Sequence, residues 1–141
     1  MNKYLCVSLN EVVLENEPLS LKHFKKYLPD VKRLYYLYNV PNDALRGAHA
    51  HKELYQFIFA LSGSFSIRLN DGTGEVEYTI ESNKNFIVIK PGVWRELFNF
   101  SVDVKCIVIA SLKYTESDYI RTYSEFEDYI RNEEPHNSGE G

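Results

Sequence analysis

Covalent and metal reinforcement are scarce in this chain. Of its 141 residues only Cys6 and Cys106 are cysteines. Two thiols so far apart make neither a disulfide framework nor a zinc motif, and they read as reduced side chains in a core. No lysine and arginine cluster is long enough for a nucleic-acid face, and the formal net charge is -4. A phosphorylated small molecule stays open as a ligand, because it needs only a few local arginines. No apolar run approaches the roughly 20 residues that span a bilayer. Met1 to Leu9 lacks the basic start and long apolar stretch of a signal peptide. The expectation is a cytoplasmic protein with no nucleic-acid and no membrane partner.

What is present suits a folded globule. Apolar residues make up 44% of the chain and aromatics 14%, which argues against disorder. The length suits one domain with its own core, placed at residues 1–132. Leu5, Val7 and Leu9 alternate at the start of a first strand within Leu5 to Leu14, and Leu19 to Leu28 reads as a turn or short helix before Pro29. Val31 to Val40 is a strand stopped by Pro41-Asn42-Asp43. Its parity puts Arg33, Tyr35 and Leu37 on one face and Leu34, Tyr36 and Tyr38 on the other. His49 to Leu61 is a further extended run, followed after Gly63 by Ser64 to Leu69. Asn70 to Gly74 is a hairpin turn, since Asp71-Gly72 supplies the positive φ that such turns need, and Glu75 to Glu81 returns. Phe86 to Ile89, Val93 to Phe98 and Val102 to Ser111 are three more strands.

The period changes after Lys113. Tyr119, Ile120, Tyr123, Phe126, Tyr129 and Ile130 recur at spacings of three and four, which predicts an amphipathic helix over Ser117 to Asn132 with Ser117 as its N-cap. Residues 133–141, with Pro135, Asn137, Ser138, Gly139 and Gly141, read as a disordered C-terminal tail. Short strands at roughly ten-residue spacing, parted by turn residues, imply an all-β sandwich or barrel. A jelly-roll barrel with a C-terminal α-helix buries one face of every strand and leaves a mouth for a ligand.

Chemistry concentrates in Arg46-Gly47-Ala48-His49-Ala50-His51-Lys52. On a strand, residues two apart share a face, so His49 and His51 project into one space. Imidazole exchanges protons near neutrality, which makes acid–base catalysis the first reading and a metal site its rival. Gly47 lets the chain pass close to a ligand or forms a bulge. Arg33 and Tyr35 share strand parity; a buried arginine needs an anionic partner, either a ligand phosphate or a carboxylate of the protein. Trp94 is a stacking surface for a base or sugar, or a core residue.

The order His-x-His, Gly63, then Pro91-Gly92 before a strand is the pattern of a cupin. Metal-binding cupins add a glutamate shortly after the histidines and a third histidine after the proline-glycine turn. Here Tyr55 or Gln56 holds the glutamate position, and Trp94-Arg95-Glu96 holds the other. Gln56 and Glu96 offer at most weak ligands, and an arginine cation opposes a metal. No metal and no cofactor is expected.

At these residues the chain resembles the sugar 3,4-ketoisomerases that act on dTDP-4-keto-6-deoxyglucose. The matching segments are Lys32-Arg33-Leu34-Tyr35-Tyr36, Arg46 to Lys52, Leu61-Ser62-Gly63-Ser64, Pro91-Gly92-Val93-Trp94-Arg95-Glu96 and Tyr119-Ile120-Arg121-Thr122-Tyr123. The resemblance implies a single cupin domain, no required metal, and a homodimer that exchanges N-terminal strands. It implies movement of a keto group from C4 to C3, feeding an aminotransferase that makes 3-amino-3,6-dideoxy sugars for surface glycans such as lipopolysaccharide. Carried over by position, His49, His51 and Tyr35 are the catalytic residues, with His49 as base and Tyr35 and His51 as proton donors. Arg33, Arg46, Gly47, Lys52, Trp94 and Arg95 are candidates for holding the dTDP-sugar, and Arg95 favours a gluco-configured product. Two other classes fit the same residues, an epimerase-like cupin on a nucleotide sugar and a non-catalytic sugar-nucleotide-binding cupin. Family members usually carry an Arg-Gly pair near the N-terminus, where this chain has Glu15-Asn16-Glu17-Pro18.

Overall fold

The computed structural model describes residues 2–138, with side chains to residue 133. Strand alternation builds two five-stranded antiparallel sheets. The first runs β1 (Tyr4–Ser8), β7 (Asn85–Ile89), β4 (Gln56–Ser62), β9 (Lys105–Ala110) and β2 (Arg33–Tyr38). The second runs β10 (Tyr119–Ile120), β3 (Arg46–His51), β8 (Trp94–Phe98), β5 (Ser64–Asn70) and β6 (Glu75–Glu81). Helix α1 (Leu21–Tyr27) follows β1, and α2 (Tyr123–Ser138) comes last. This is the all-β jelly-roll arrangement with a C-terminal helix that the strand pattern predicts.

Three apolar layers result. Between the sheets lie Ile58, Phe65, Ile67, Leu69, Ile87, Ile89, Leu97 and Val108, among others. The outer face of the first sheet contributes Phe57, Phe86, Val88, Ile107 and Ile109, covered by Phe24, Tyr27 and Leu28 from α1 and its end. Both faces of β4, β7 and β9 are therefore buried, which is why these strands read as unbroken apolar runs rather than as alternation. A third layer, Ala50, Trp94, Ile120 and Phe126, lies under α2.

The run His49 to Leu61 proves to be two strands in different sheets. The chain leaves β3 after His51 and enters β4 at Gln56. The crossing backbone finds its hydrogen bonds off the ladder: Glu53 N–H donates to Asp118 Oδ1 at 2.6 Å and Tyr55 N–H to Ser111 Oγ at 2.8 Å. A continuous apolar run carries no signal for that change of sheet.

The last helix also starts later than its period suggests. Ser117 lies in a short 3₁₀ turn, and Tyr119 and Ile120 pair with His51 and Ala50 as β10. Edge pairing to β3 overrides the helical spacing there. The N-cap is Thr122, whose hydroxyl accepts Glu125 N–H at 3.2 Å and donates to Glu125 Oε1 at 2.9 Å. The helical backbone then continues to Ser138, so residues 133–138 depart from the disordered tail expected of them. Glu133 and Glu134 are good helix formers, and Lys3 Nζ lies 3.7 Å from Glu133 Oε2. Residues 139–141 lie outside the described residues.

The Phe57 and Phe86 rings stack at 4.2 Å and are fully buried. Phe57→Ala should destabilise the protein by about 3–5 kcal/mol, read as a lower urea midpoint with an unchanged slope.

Candidate active site

Alternation aims residues of several strands at one cavity of about 490 Å³ including its open mouth. From β3 come Gly47 and His49, from β2 Tyr35 and Leu37, from β8 Arg95 and Leu97, and from β4 Gln56 and Ile58; Arg46 stands at the rim. Gly47 has φ +66°, and a Cβ there would sit 3.3 Å from Leu97 Cδ1 and 3.8 Å from His49 Cε1. Its bare backbone thus keeps the cavity wall open beside His49.

Arg95 is 1% exposed. Its Nε and Nη2 each donate to Val93 O at 3.3 Å, and Nη1 donates to Gln56 Oε1. Among the described residues no carboxylate bonds to it. Its neighbour Glu96 faces the other way, toward Arg68 and the Trp94 indole N–H. Burial pulls the guanidinium down to about 10, with Tyr35, Tyr119 and Asp118 acting in the opposite sense. It remains a cation at neutral pH.

That cation and the dry surroundings decide the histidines. Burial, then Arg95 and Arg121, push His49 down to about 3, against a smaller upward pull from Glu116. His51 is fully buried, and burial followed by Arg95 also lowers it. Its Nδ1 lies 2.9 Å from Asp118 Oδ2. The carboxylate pulls His51 upward, but burial and the surrounding cations keep the balance on the neutral side. An ionised carboxylate only accepts, so Nδ1 carries the proton and Nε2 holds a lone pair. That Nε2 has no hydrogen-bond partner among the described residues. The donor role expected of His51 needs a proton at Nε2, whereas the bond to Asp118 leaves an acceptor there.

Tyr35 is a neutral phenol, raised chiefly by burial, and its oxygen receives a bond from Gln56 Nε2 at 3.3 Å. The Arg33 guanidinium lies 4.8 Å from the Tyr35 ring centre, and its buried Nε has no partner among the described residues. Tyr119 closes the other side, its ring 5.0 Å from His49 and 4.4 Å from His51. Arg121 sits 3.9 Å over Tyr119 and is paired to Glu116 at 2.7 Å.

Two expected substrate contacts fall elsewhere. Trp94 precedes Arg95 on β8 and so faces the opposite way, into the layer beneath α2. Lys52 lies just past the end of β3 and points to the outer surface near Asp128 and Asn132. Three residues of the site escaped the sequence reading in their roles: Gln56, weighed only as a weak ligand, and Asp118 and Tyr119, read as part of a helix. Their signal appears only once β10 is known to pair with β3. The departing N-terminal segment has a local use, since Glu17 Oε1 accepts the His23 Nε2 hydrogen bond at 2.6 Å beside α1.

Among the described residues no group of three or more His, Cys, Asp and Glu could hold a metal ion. The glutamate and third-histidine positions of metal cupins are occupied by Gln56 and Arg95, which bond to each other across the barrel.

A neutral imidazole, a phenol and a guanidinium with no carboxylate bonded to it among the described residues share one cavity of a cupin-type jelly roll, an arrangement suited to acid–base chemistry. The family model described as "FdtA: WxcM-like, C-terminal" matches residues 3–131, and the chain belongs to that family. It is 41% identical over 100 residues, 71% of this chain and 72% of the relative, to the TDP-4-oxo-6-deoxy-alpha-D-glucose-3,4-oxoisomerase of Aneurinibacillus thermoaerophilus. Its structure matches QdtA, a sugar 3,4-ketoisomerase from Thermoanaerobacterium thermosaccharolyticum solved with TDP, at TM-score 0.79 and 32% identity, covering 93% of this chain and 96% of that one. A histidine-to-asparagine mutant of QdtA is known in complex with TDP-4-keto-6-deoxyglucose. It likewise matches WlaRB, a TDP-quinovose 3,4-ketoisomerase from Campylobacter jejuni, at TM-score 0.75 and 35% identity, covering 87% and 97%.

A histidine held below its ordinary 6.5 binds fewer protons folded than unfolded, so its contribution makes stability rise with pH between the two values. For His49 that window runs from about 3 to 6.5. Stability should therefore fall as the solution is acidified through it, and His49→Gln should flatten the slope of urea midpoint against pH.

Proposed function

We propose that this chain converts TDP-4-keto-6-deoxyglucose to a TDP-3-keto-6-deoxyhexose by proton transfer alone. The observation that carries this is the sharing of one cavity by the neutral His49, the Tyr35 phenol and the unpaired Arg95 cation. The C4 ketone acidifies the hydrogen on C3. His49 takes that proton, the electron pair moves into the C3–C4 bond, and O4 gains charge that Arg95 stabilises and Tyr35 protonates. The resulting enediol gives up its O3 proton as the carbonyl forms at C3, and C4 receives a proton. Every hydrogen travels as a proton, so the reaction balances without an external oxidant or reductant. His51, with a lone pair at Nε2 and Asp118 behind it, is the second acceptor available to this cycle. Arg33 and Arg46 are the cations offered to the diphosphate, and the unpartnered Arg33 Nε supports that use.

Finer readings extend the proposal. Arg95 beside the sugar favours the gluco configuration at C4, in keeping with the sugar named for WlaRB. An aminotransferase consumes the ketone on the way to 3-amino-3,6-dideoxy sugars of surface glycans such as lipopolysaccharide, and the enzyme works in the cytoplasm. No described helix is long and apolar enough to cross a membrane. A homodimer is the working assembly. Support comes from Leu34, Tyr36 and Tyr38, exposed on the outer face of the edge strand β2, since exposed apolar edges pair when they can. A partner's β1 would make the same bonds to β7 that β1 makes in the single chain.

Incubation with TDP-4-keto-6-deoxyglucose and no added metal should yield a 3-keto sugar by NMR. Inversion at a ring carbon without carbonyl movement would instead mean an epimerase, and TDP binding without deuterium uptake from D₂O a binding protein. His49→Asn should lower turnover by about 10²–10⁴-fold with the fold intact; a loss under about tenfold removes His49 from the mechanism. Tyr36→Asp should shift the molar mass measured by light scattering from dimer toward monomer, and an unchanged dimer would remove β2 from the interface.

A further inference from the structure

We propose that Gln56 is a positioning residue: its amide, held between Arg95 and Tyr35, turns the Tyr35 hydroxyl proton toward the cavity. Gln56 belongs to β4 of the first sheet and Arg95 to β8 of the second, so their bond spans the barrel interior. A guanidinium carries only donors. It can face only the carbonyl oxygen of the amide, Oε1. That leaves the Nε2 amine to face Tyr35, and it donates to Oη at 3.3 Å. An amide nitrogen cannot accept in return. The Tyr35 hydroxyl must therefore send its own hydrogen elsewhere, and the space beside it is the cavity shared with His49. The direction of the last bond is set by the sign of the first. Gln56 is 2% exposed, so water does not compete for either end.

Glutamate is the informative substitute because it keeps the shape and reverses the polarity. In Gln56→Glu the carboxylate accepts from Arg95 and from the Tyr35 hydroxyl alike. The phenol proton is drawn away from the cavity, and the Arg95 charge is compensated. His49 faces Arg95, Arg121, Glu116 and the Tyr119 and His51 rings; Tyr35 faces Arg33, Arg95 and Tyr119. Of these charges only Arg95 gains a new partner in the variant.

The kinetic arm rests on the ketoisomerase reading, whereas the spectroscopic arm does not. Gln56→Glu should lower kcat by about a hundredfold or more with KM nearly unchanged, the loss expected when a general acid is removed. In a Tyr35→Phe background the same substitution should cost little further, because the two residues act as a unit. By NMR, the His49 ring should titrate at higher pH in the variant than in the parent. A kcat within about tenfold of the parent, a loss that adds fully to that of Tyr35→Phe, or an unmoved His49 titration in folded protein would each overturn the proposal. Should Gln56→Glu fail to fold, Gln56→Met keeps the volume and removes both bonds; it should lower kcat non-additively with Tyr35→Phe, and full activity would overturn the proposal. If the parent leaves the sugar unchanged, the ketoisomerase reading fails, and the His49 titration still judges the Gln56–Arg95 contact on which the relay rests.

Discussion

A guanidinium buried in the middle of a closed sandwich, with no carboxylate bonded to it among the described residues, is the constraint on which the rest of the site depends. Desolvating a cation costs several kcal/mol even after relaxation. Arg95 meets that cost partly with two bonds to a backbone carbonyl and one to an amide oxygen. None of these neutralises its charge. The remaining field falls on whatever shares the cavity, and there it disfavours a second cation. Burial first, and this field after it, keep His49 and His51 neutral, with lone pairs available at neutral pH. The same field favours an anion, which in the proposed reaction is an enediolate. One such charge thus disfavours protonated imidazoles and favours an anion in the same cavity.

The fold makes this possible by keeping water out from several sides. The central strands β7, β4 and β9 of the first sheet are buried on both faces, under α1 without and against the second sheet within. The second sheet carries the histidines and Arg95 on its inner face and rests the outer face of β10, β3 and β8 on α2. β10 is only two residues long, yet it fixes three features together. It brings Tyr119 against both imidazoles, it sets Asp118 behind His51, and it supplies the Asp118 oxygen that anchors the crossing from β3 to β4. Asp118 thus orients a ring and holds a loop with its two carboxylate oxygens.

Much of this was legible before any coordinates. Period-two alternation put Arg33, Tyr35 and Leu37 on one face and Leu34, Tyr36 and Tyr38 on the other, and the exposures divide along that line. The His-x-His spacing put both imidazoles on one face because a pleated strand allows nothing else. The same rule separates Trp94 from Arg95, and pairing them in one pocket ignored it. The helix onset was misread because Tyr119 and Ile120 satisfy a helical period while edge pairing to β3 claims them. Lys52 follows the motif in sequence but leaves it in space, since the strand ends one residue earlier.

The sequence by itself determined the strand parity, the jelly-roll class, the histidine pair and the arginine that stands where a metal ligand would be. These are local properties, set by side-chain period and by residue type at a given spacing. Only the tertiary structure decided that Gln56 meets Arg95, that Asp118 holds His51 and that Tyr119 covers both rings. Each of those contacts joins segments from different sheets or distant turns. Nothing in a one-dimensional period records which strand edge a short segment will find, because that choice is made by the packing of the whole chain.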